Sequence, residues 1–308
     1  MTTGPLPSSP GSTADPGSEP AVVALFDTLF DDAAIASSAT DPATGVAVHE
    51  RNRAAWYADL VGPAVVPAGA AQLLAEALSP SHHRLRILLA AGPASDPTTN
   101  SATDSATDPT TGPGSATAAD PEQGRQGLRA ARDLLAEDDR VELVGVRLAP
   151  PGAGGAAMAH LLGVLDFSVP AWVAVGPGPG ADDALRVLAA DGAENLTMLP
   201  GPGLAQLLRT AVDLGLAFRI AAGDAGRSAA GLLGAVCAVR TALLGAPAAE
   251  LAEILAGADP APLAAAVRGL SEADAAAVRA ALVAVEAPDV AALVAELVGL
   301  GLVTPPPD

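Results

Sequence analysis

Short apolar or β-branched runs alternate with helical patterns along most of the chain, and this alternation constrains the fold more than any other feature. Six such runs are each followed by a helix-like segment, at residues 60–68, 84–92, 141–149, 170–178, 194–201 and 217–223. Strands that alternate with helices are typical of a parallel sheet with the helices packed outside it. Such a sheet either closes into a barrel or stays open and doubly wound, and periodicity alone does not separate the two.

Two stretches interrupt this pattern with few apolar side chains. Residues 1–20 consist mainly of Pro, Ser, Gly and Thr, and residues 93–123 contain the near-repeats "SATD" and "DPTT". We expect a disordered tail over 1–20, a low-complexity disordered insertion over 93–123 and a short tail over 304–308. The remaining residues of 21–303, about 255, approach the ~250 of a (β/α)₈ barrel. The sequence therefore predicts one TIM-barrel-like α/β domain over residues 21–303. It does not decide whether the barrel closes completely.

The C-terminal third follows a mainly helical pattern. Leu251, Ile254 and Leu255 share one helical face, and Ser271 and Asp274 have the spacing of a capping box. The helical periodicity that starts at Ser271 continues through residues 281–288, which predicts that the helix extends over them. We therefore expect a helical C-terminal part.

Composition excludes several kinds of chemistry. All 16 basic residues are arginine, which removes Schiff-base chemistry, pyridoxal phosphate attachment and the lysine of a P-loop. The net charge of −19 disfavours nucleic acid and anionic lipid as partners. The single cysteine, Cys237, lies in an apolar helical stretch, where a buried packing role is expected. No run of about 18 apolar residues and no secretory signal is present, so we expect a cytoplasmic protein without a membrane partner.

The glycine-rich turn "GPGPGADD" at 176–183 invites comparison with a phosphate-binding loop. Such loops bind phosphate through consecutive backbone N–H groups at a helix N-terminus. Pro177 and Pro179 each remove one of these donors, and Asp182 and Asp183 place negative charge where the phosphate would lie. The turn is therefore interpreted as a strand-to-helix connection, with the two aspartates complementing the helix dipole.

Candidate site residues follow from where chemistry occurs in a parallel barrel, at the C-terminal ends of the strands. The predicted proton-transfer residues are Asp31 and Asp32, after the first candidate strand, and Asp224, after the sixth of the runs above. The predicted anion-binding residues are Arg147, Arg219 and Arg227. Alternatively, the arginines are solvated or paired with neighbouring acids, and the first two aspartates begin a turn.

No cofactor and no metal site is predicted. His82 and His83 precede a strand and would lie at the stability end of a barrel, and His49 and His160 lack metal-ligand spacing. A Mg²⁺ site at Asp31, Asp32 and Asp224 is conceivable, but no specific motif supports it.

The segments "LFDDAA" (29–34), "HERNRAAWYADLVGPAVVPA" (49–68), "VELVGVRLA" and "AVDLGLAFRIAAG" together resemble a family of bacterial proteins from GC-rich genomes with a TIM-barrel-like fold. The similarity covers most of residues 25–303 and carries no enzyme signature. It implies that "ALVAVEAP" (281–288) is a late strand, where periodicity continues a helix.

This chain departs from the resembled family at two strand ends. "NLTMLPG" (195–201) stands where the family carries Lys-Leu-Arg-Thr-Gly-Gly, and "FRIAAGDAG" (218–226) stands where it carries Phe-Lys-Ala-Thr-Ala-Gly-Leu-His-His. Arg219 stands in for the lysine, and Asp224 and Ala225 fall near the histidine pair. Our first hypothesis is a divergent or catalytically degenerate barrel that acts by binding or association. The expected partner is a small anionic metabolite or a protein. The alternative is a lyase or isomerase-type enzyme acting on a small anionic metabolite.

Overall fold

The chain folds into a closed barrel of parallel strands, as a computed structural model of the protein shows. The structure describes residues 18–37, 41–79, 84–91, 121–148, 154–162, 169–192 and 195–307. Within them the barrel strands follow chain order: β1 (Phe30–Asp32), β2 (Val61–Pro67), β3 (Leu85–Ala90), β4 (Val141–Leu148), β5 (Ala171–Val175), β6 (Asn195–Met198), β7 (Ala217–Ile220) and β8 (Leu282–Ala287). Pairing of β1 with β8 closes the ring. The TIM-barrel-like prediction is confirmed, and the question of closure is settled in favour of a closed barrel.

Helices surround the strands. In chain order they are α1 (Ser18–Phe26), α2 (Ala34–Ser37), α3 (Pro42–Ala54), α4 (Ala71–Ala77), α5 (Pro121–Ala136), α6 (Gly155–Leu162), α7 (Ala181–Ala190), α8 (Leu204–Asp213), α9 (Asp224–Arg227), α10 (Ala229–Leu243), α11 (Ala248–Leu255), α12 (Pro260–Arg268), α13 (Glu272–Ala281) and α14 (Val290–Gly299). Thus α1 begins within the stretch predicted as a tail, and α5 begins within the predicted insertion. Most of the insertion, 93–120, lies outside the described residues.

Local chemistry explains several helix starts. Ser271 accepts a hydrogen bond from the Asp274 backbone N–H at 3.1 Å, and Asp289 accepts from Ala292 at 3.0 Å. Side-chain oxygens at these positions satisfy N–H groups that have no partner inside the helix. At the turn before α7, Gly180 has a φ of +84°, a left-handed conformation that glycine adopts without strain.

The C-terminal third is helical except for β8. The expectation from periodicity that a helix continues through 281–288 is wrong, and the late strand implied by the family resemblance is present. The physical reason is tertiary, because residues 282–287 pair with β7 and β1 and complete the barrel. Arg279 of α13 also donates to the carbonyls of Leu282 and Val283 at 2.6 and 2.7 Å. These two hydrogen bonds join the end of α13 to the start of β8.

Two different layers fill the molecule. The larger core lies between the outward-facing strand residues and the helices, and it is built mainly from Ala, Leu and Val with Phe26, Phe30 and Phe218. A much smaller apolar cluster inside the barrel contains Val65, Leu88 and Trp172 with small alanines. Asp31, Thr197, Arg219 and Glu286 are buried in the same interior and belong to the candidate site.

Candidate functional site

Five polar side chains lie at the equivalent position of their strands, inside the barrel. Asp31, Arg147, Thr197, Arg219 and Glu286 each occupy the second-to-last residue of their strands, on β1, β4, β6, β7 and β8. Strand register aligns Asp31 with Glu286 and Thr197 with Arg219. Because the strands are parallel, these residues lie toward the C-terminal end of the barrel, where barrel enzymes carry their sites.

Asp31 and Arg219 form a buried ion pair. The Arg219 guanidinium donates through Nη1 to Asp31 Oδ2, and its central carbon lies 4.1 Å from the centroid of the Trp172 ring. Burial raises the pKa of Asp31 to about 6, against the opposing effect of Arg219; the charge of Glu286 raises it further, and that of Arg147 lowers it. Loss of hydration disfavours the charged carboxylate. Asp31 therefore has a carboxyl group suited to exchanging a proton near neutral pH.

Arg147 and Glu286 form the second ion pair. The Arg147 guanidinium donates through Nη1 to Glu286 Oε1, while Glu286 Oε2 accepts from the Ala222 backbone N–H at 3.1 Å. The Glu286 side chain is 3% exposed and that of Arg147 is 14% exposed. Since β4 and β8 are four strands apart in an eight-strand ring, this pair crosses the barrel.

Three buried polar atoms of the same layer have no hydrogen-bond partner among the described residues. They are Asp31 Oδ1, Thr197 Oγ1 and Arg219 Nε. Asp31 Oδ1 lies against Gly62, where an added Cβ would come within 2.8 Å of it. Buried polar groups in proteins are nearly always hydrogen-bonded, so unpaired ones mark places where a polar ligand atom can be accepted.

Asp32 does not join this cluster, although it is adjacent to Asp31. Successive residues of a strand point to opposite faces, and Asp32 is directed outward to α3. There its Oδ2 lies 3.1 Å from His49 Nδ1 and accepts from Asn52 Nδ2 at 2.9 Å, while Oδ1 accepts from the Ala34 N–H at 2.9 Å. These contacts tie β1 to α2 and α3 and give Asp32 a structural role.

Asp224 and Arg227 lie apart from the ion pairs. Both side chains are exposed on α9, the short helix that follows β7. Of the six predicted residues, the structure therefore brings Asp31, Arg147 and Arg219 together inside the barrel. The predicted alternative also holds for the two arginines of this group, because each is paired with an acid.

Sequence reasoning missed Glu286, Thr197 and Trp172. Glu286 is the one charged residue of the apolar run "LVAVEA", and an acid in such a strand points to a polar interior position. Trp172 had no signal of its own, since aromatic residues in strands are usually core. Its place in the site becomes visible only through its register with Arg147.

Other sequence candidates have structural roles or lie elsewhere. Asp182 of the glycine-rich turn accepts from the Thr210 hydroxyl at 2.8 Å, and Asp183 lies 2.9 Å from Arg186. The Cys237 thiol is half-buried, and burial raises its pKa. His82 and His83 lie outside the described residues.

Within the described ranges, no group of three or more His, Cys, Asp or Glu side chains is placed to hold a metal ion. None of the helices in that part of the chain combines the length and apolar character needed to cross a membrane. The sequence and fold match no family model, no curated protein and no solved structure.

Proposed function

We propose that this protein is a divergent barrel that acts by binding a small anionic metabolite, a carboxylate or a phosphate, at the C-terminal end of the barrel. The observation that carries the proposal is the convergence of Arg147 and Arg219 on one interior layer. Guanidinium groups bind planar carboxylates and phosphates through paired N–H donors. The Arg147 side chain is 14% exposed and that of Arg219 is 11% exposed, and we assign the contact with the anion to Arg147.

Binding without turnover is favoured by the composition of the layer. Each arginine already has a carboxylate partner inside the protein, so the layer is close to electrically neutral when both acids are ionised. Thr197 lies in the segment where the resembled family carries a basic strand end. A site with fewer free charges can hold a ligand without the strong fields that stabilise a charged transition state.

The test is a calorimetric and thermal-shift titration against small carboxylates and phosphorylated sugars, using wild type, Arg147→Gln and Arg186→Gln. Arg186 is a matched control, because it pairs with an acid at 2.9 Å on the exposed face of α7. A ligand at 100 times its Kd adds about 2.7 kcal/mol to the free energy of unfolding. We expect this stabilisation in wild type and Arg186→Gln and its loss in Arg147→Gln. Equal binding by all three proteins, or by none, would overturn the proposal.

The second candidate is the lyase or isomerase-type enzyme, and the raised pKa of Asp31 favours it. In this scheme ionised Asp31 takes a proton from a carbon next to the carbonyl or carboxylate of the bound anion, and Arg219 holds that anion. The measurement is solvent deuterium incorporation into the bound carboxylate, followed by NMR. Exchange that disappears in Asp31→Asn while binding persists supports the enzyme; binding without any exchange in wild type excludes it for that ligand.

A further inference from the structure

We infer that the Glu286 carboxylate occupies the anion subsite of this barrel, and that a ligand carboxylate or phosphate binds by taking its place. The subsite consists of the Arg147 guanidinium and the Ala222 backbone N–H. This inference rests on the proposed function and identifies the atoms that would hold the anion.

The donors around Glu286 are those of an anion-binding site. One carboxylate oxygen accepts from the guanidinium on β4, and the other accepts from a backbone N–H just after β7, at 3.1 Å. The two donors therefore come from different walls of the barrel and converge on one planar anion. A charged side-chain donor combined with a backbone N–H is a common way for proteins to bind carboxylate and phosphate oxygens.

Glu286 also lies beside a second acid of the layer. It aligns with Asp31 on the neighbouring strand, and its charge raises the Asp31 pKa, which means that the two carboxylates repel each other. Movement of the Glu286 side chain toward solvent leaves Arg147 without its partner, and an incoming anion then neutralises Arg147. Exchange of one anion for another keeps the buried arginine paired, which avoids the penalty of an isolated buried charge.

The backbone of β8 is closely packed at the subsite, so we place the exchange in the Glu286 side chain. Gly226 on α9 packs so closely on β8 that an added Cβ would overlap the Glu286 carbonyl oxygen. The close packing of α9 on β8 leaves little space for the β8 backbone at Glu286 to shift. The three unpartnered atoms of the layer, on Asp31, Thr197 and Arg219, face the same interior and suit a ligand that carries a hydroxyl or carbonyl group beside its anion.

The experiment measures formate, acetate and inorganic phosphate binding to wild type, Glu286→Ala and Glu296→Ala at constant ionic strength. Glu296 is the matched control, because its carboxylate also accepts from a backbone N–H, that of Ala229 at 2.7 Å, but lies on α14. We expect Glu286→Ala to bind formate or acetate at least tenfold more tightly than wild type, and Glu296→Ala to bind like wild type. Adding Arg147→Gln to Glu286→Ala should abolish the gain.

The isosteric variant Glu286→Gln guards against a folding defect in the alanine variant, and it too should bind anions more tightly than wild type. If Arg147→Gln weakens anion binding but neither Glu286 variant strengthens it, the inference is overturned and the proposed function stands. If wild type binds no anion while Glu286→Ala binds formate through Arg147, the subsite is supported and the proposed function fails. If no variant binds any of the three anions, both fail.

Discussion

Substitution of Asp31 by asparagine should change how the stability of the protein depends on pH. The Asp31 pKa is about 6 in the folded protein, against an ordinary value of 3.8. Each pKa unit corresponds to about 1.4 kcal/mol, so ionised Asp31 destabilises the fold by about 3 kcal/mol relative to protonated Asp31. This cost is absent below the unfolded pKa, grows as pH rises, and is complete above the folded pKa.

The measurement is urea unfolding of wild type and Asp31→Asn between about pH 3.5 and about pH 7.5, followed by tryptophan fluorescence. Of the two tryptophans, Trp172 contacts Arg219 in the site, whereas Trp56 is exposed and contributes to the signal from outside the site. Arg219 stays charged throughout, so its loss of a partner in Asp31→Asn adds an offset that does not vary with pH. We expect the free energy of unfolding of wild type, relative to the variant, to fall by about 3 kcal/mol as pH rises across this range.

Asp213→Asn provides a control of opposite sign. Asp213 is exposed, and the hydrogen bond from Arg209 lowers its pKa, so its contribution to stability is present above the unfolded pKa and is lost on acidification. Wild type should therefore gain stability over Asp213→Asn as pH rises. If the comparison with Asp31→Asn also rises with pH, the attraction of Arg219 outweighs burial at Asp31 and our reasoning about that carboxyl is refuted. A flat difference would show that the two effects cancel.

Three further predictions concern packing and reactivity. Gly226→Ala should destabilise the protein by more than about 2 kcal/mol, since its Cβ would overlap the β8 backbone. Gly127→Ala, on an open face of α5, should instead stabilise the protein by about 0.5–1 kcal/mol in the same urea assay. The reverse order of stabilities would contradict the packing of α9 on β8. Asn52→Ala should lower the free energy of unfolding by about 1–3 kcal/mol, because it removes a donor from a buried carboxylate, and an unchanged midpoint would rule out that role. Cys237, whose thiol pKa is raised by burial, should react with iodoacetamide more slowly in the folded protein than in urea, and equal rates would disprove its protection.

The barrel could be predicted from sequence because six strand-helix units repeat the same pattern. Its closure could not, because β1 has three residues and β8 follows five helices, α9 to α13, whose pattern continues as helical. Strand β8 was expected only from the resemblance of residues 281–288 to a known family. A strand of three residues is too short to show a recognisable hydrophobic periodicity. Closure also depends on pairing between the first and last strands, which local sequence patterns do not indicate.

The candidate site was predictable in part for a similar reason. Arg147 and Arg219 could be assigned to strand ends from the local pattern, and Asp31 lay beside the first strand. Glu286 could not be connected with Arg147, because the two residues are 139 positions apart and meet only across the finished barrel. Asp31 belongs to the site and Asp32 has a structural role because only Asp31 points into the barrel. A strand of three residues is too short for the sequence to show which of the two side chains points inward.

The long sequence separation of the two interior ion pairs also bears on the order in which the molecule can be assembled during synthesis. Glu286 lies on the last strand, so every earlier stage of a growing chain holds Arg147 without the acid that neutralises it. Contacts this distant in sequence form late, after the cost of bringing chain ends together has been met. Addition of β8 therefore completes both the ring of backbone hydrogen bonds and the electrical neutrality of its interior, so that a nearly finished barrel is disfavoured relative to a complete one.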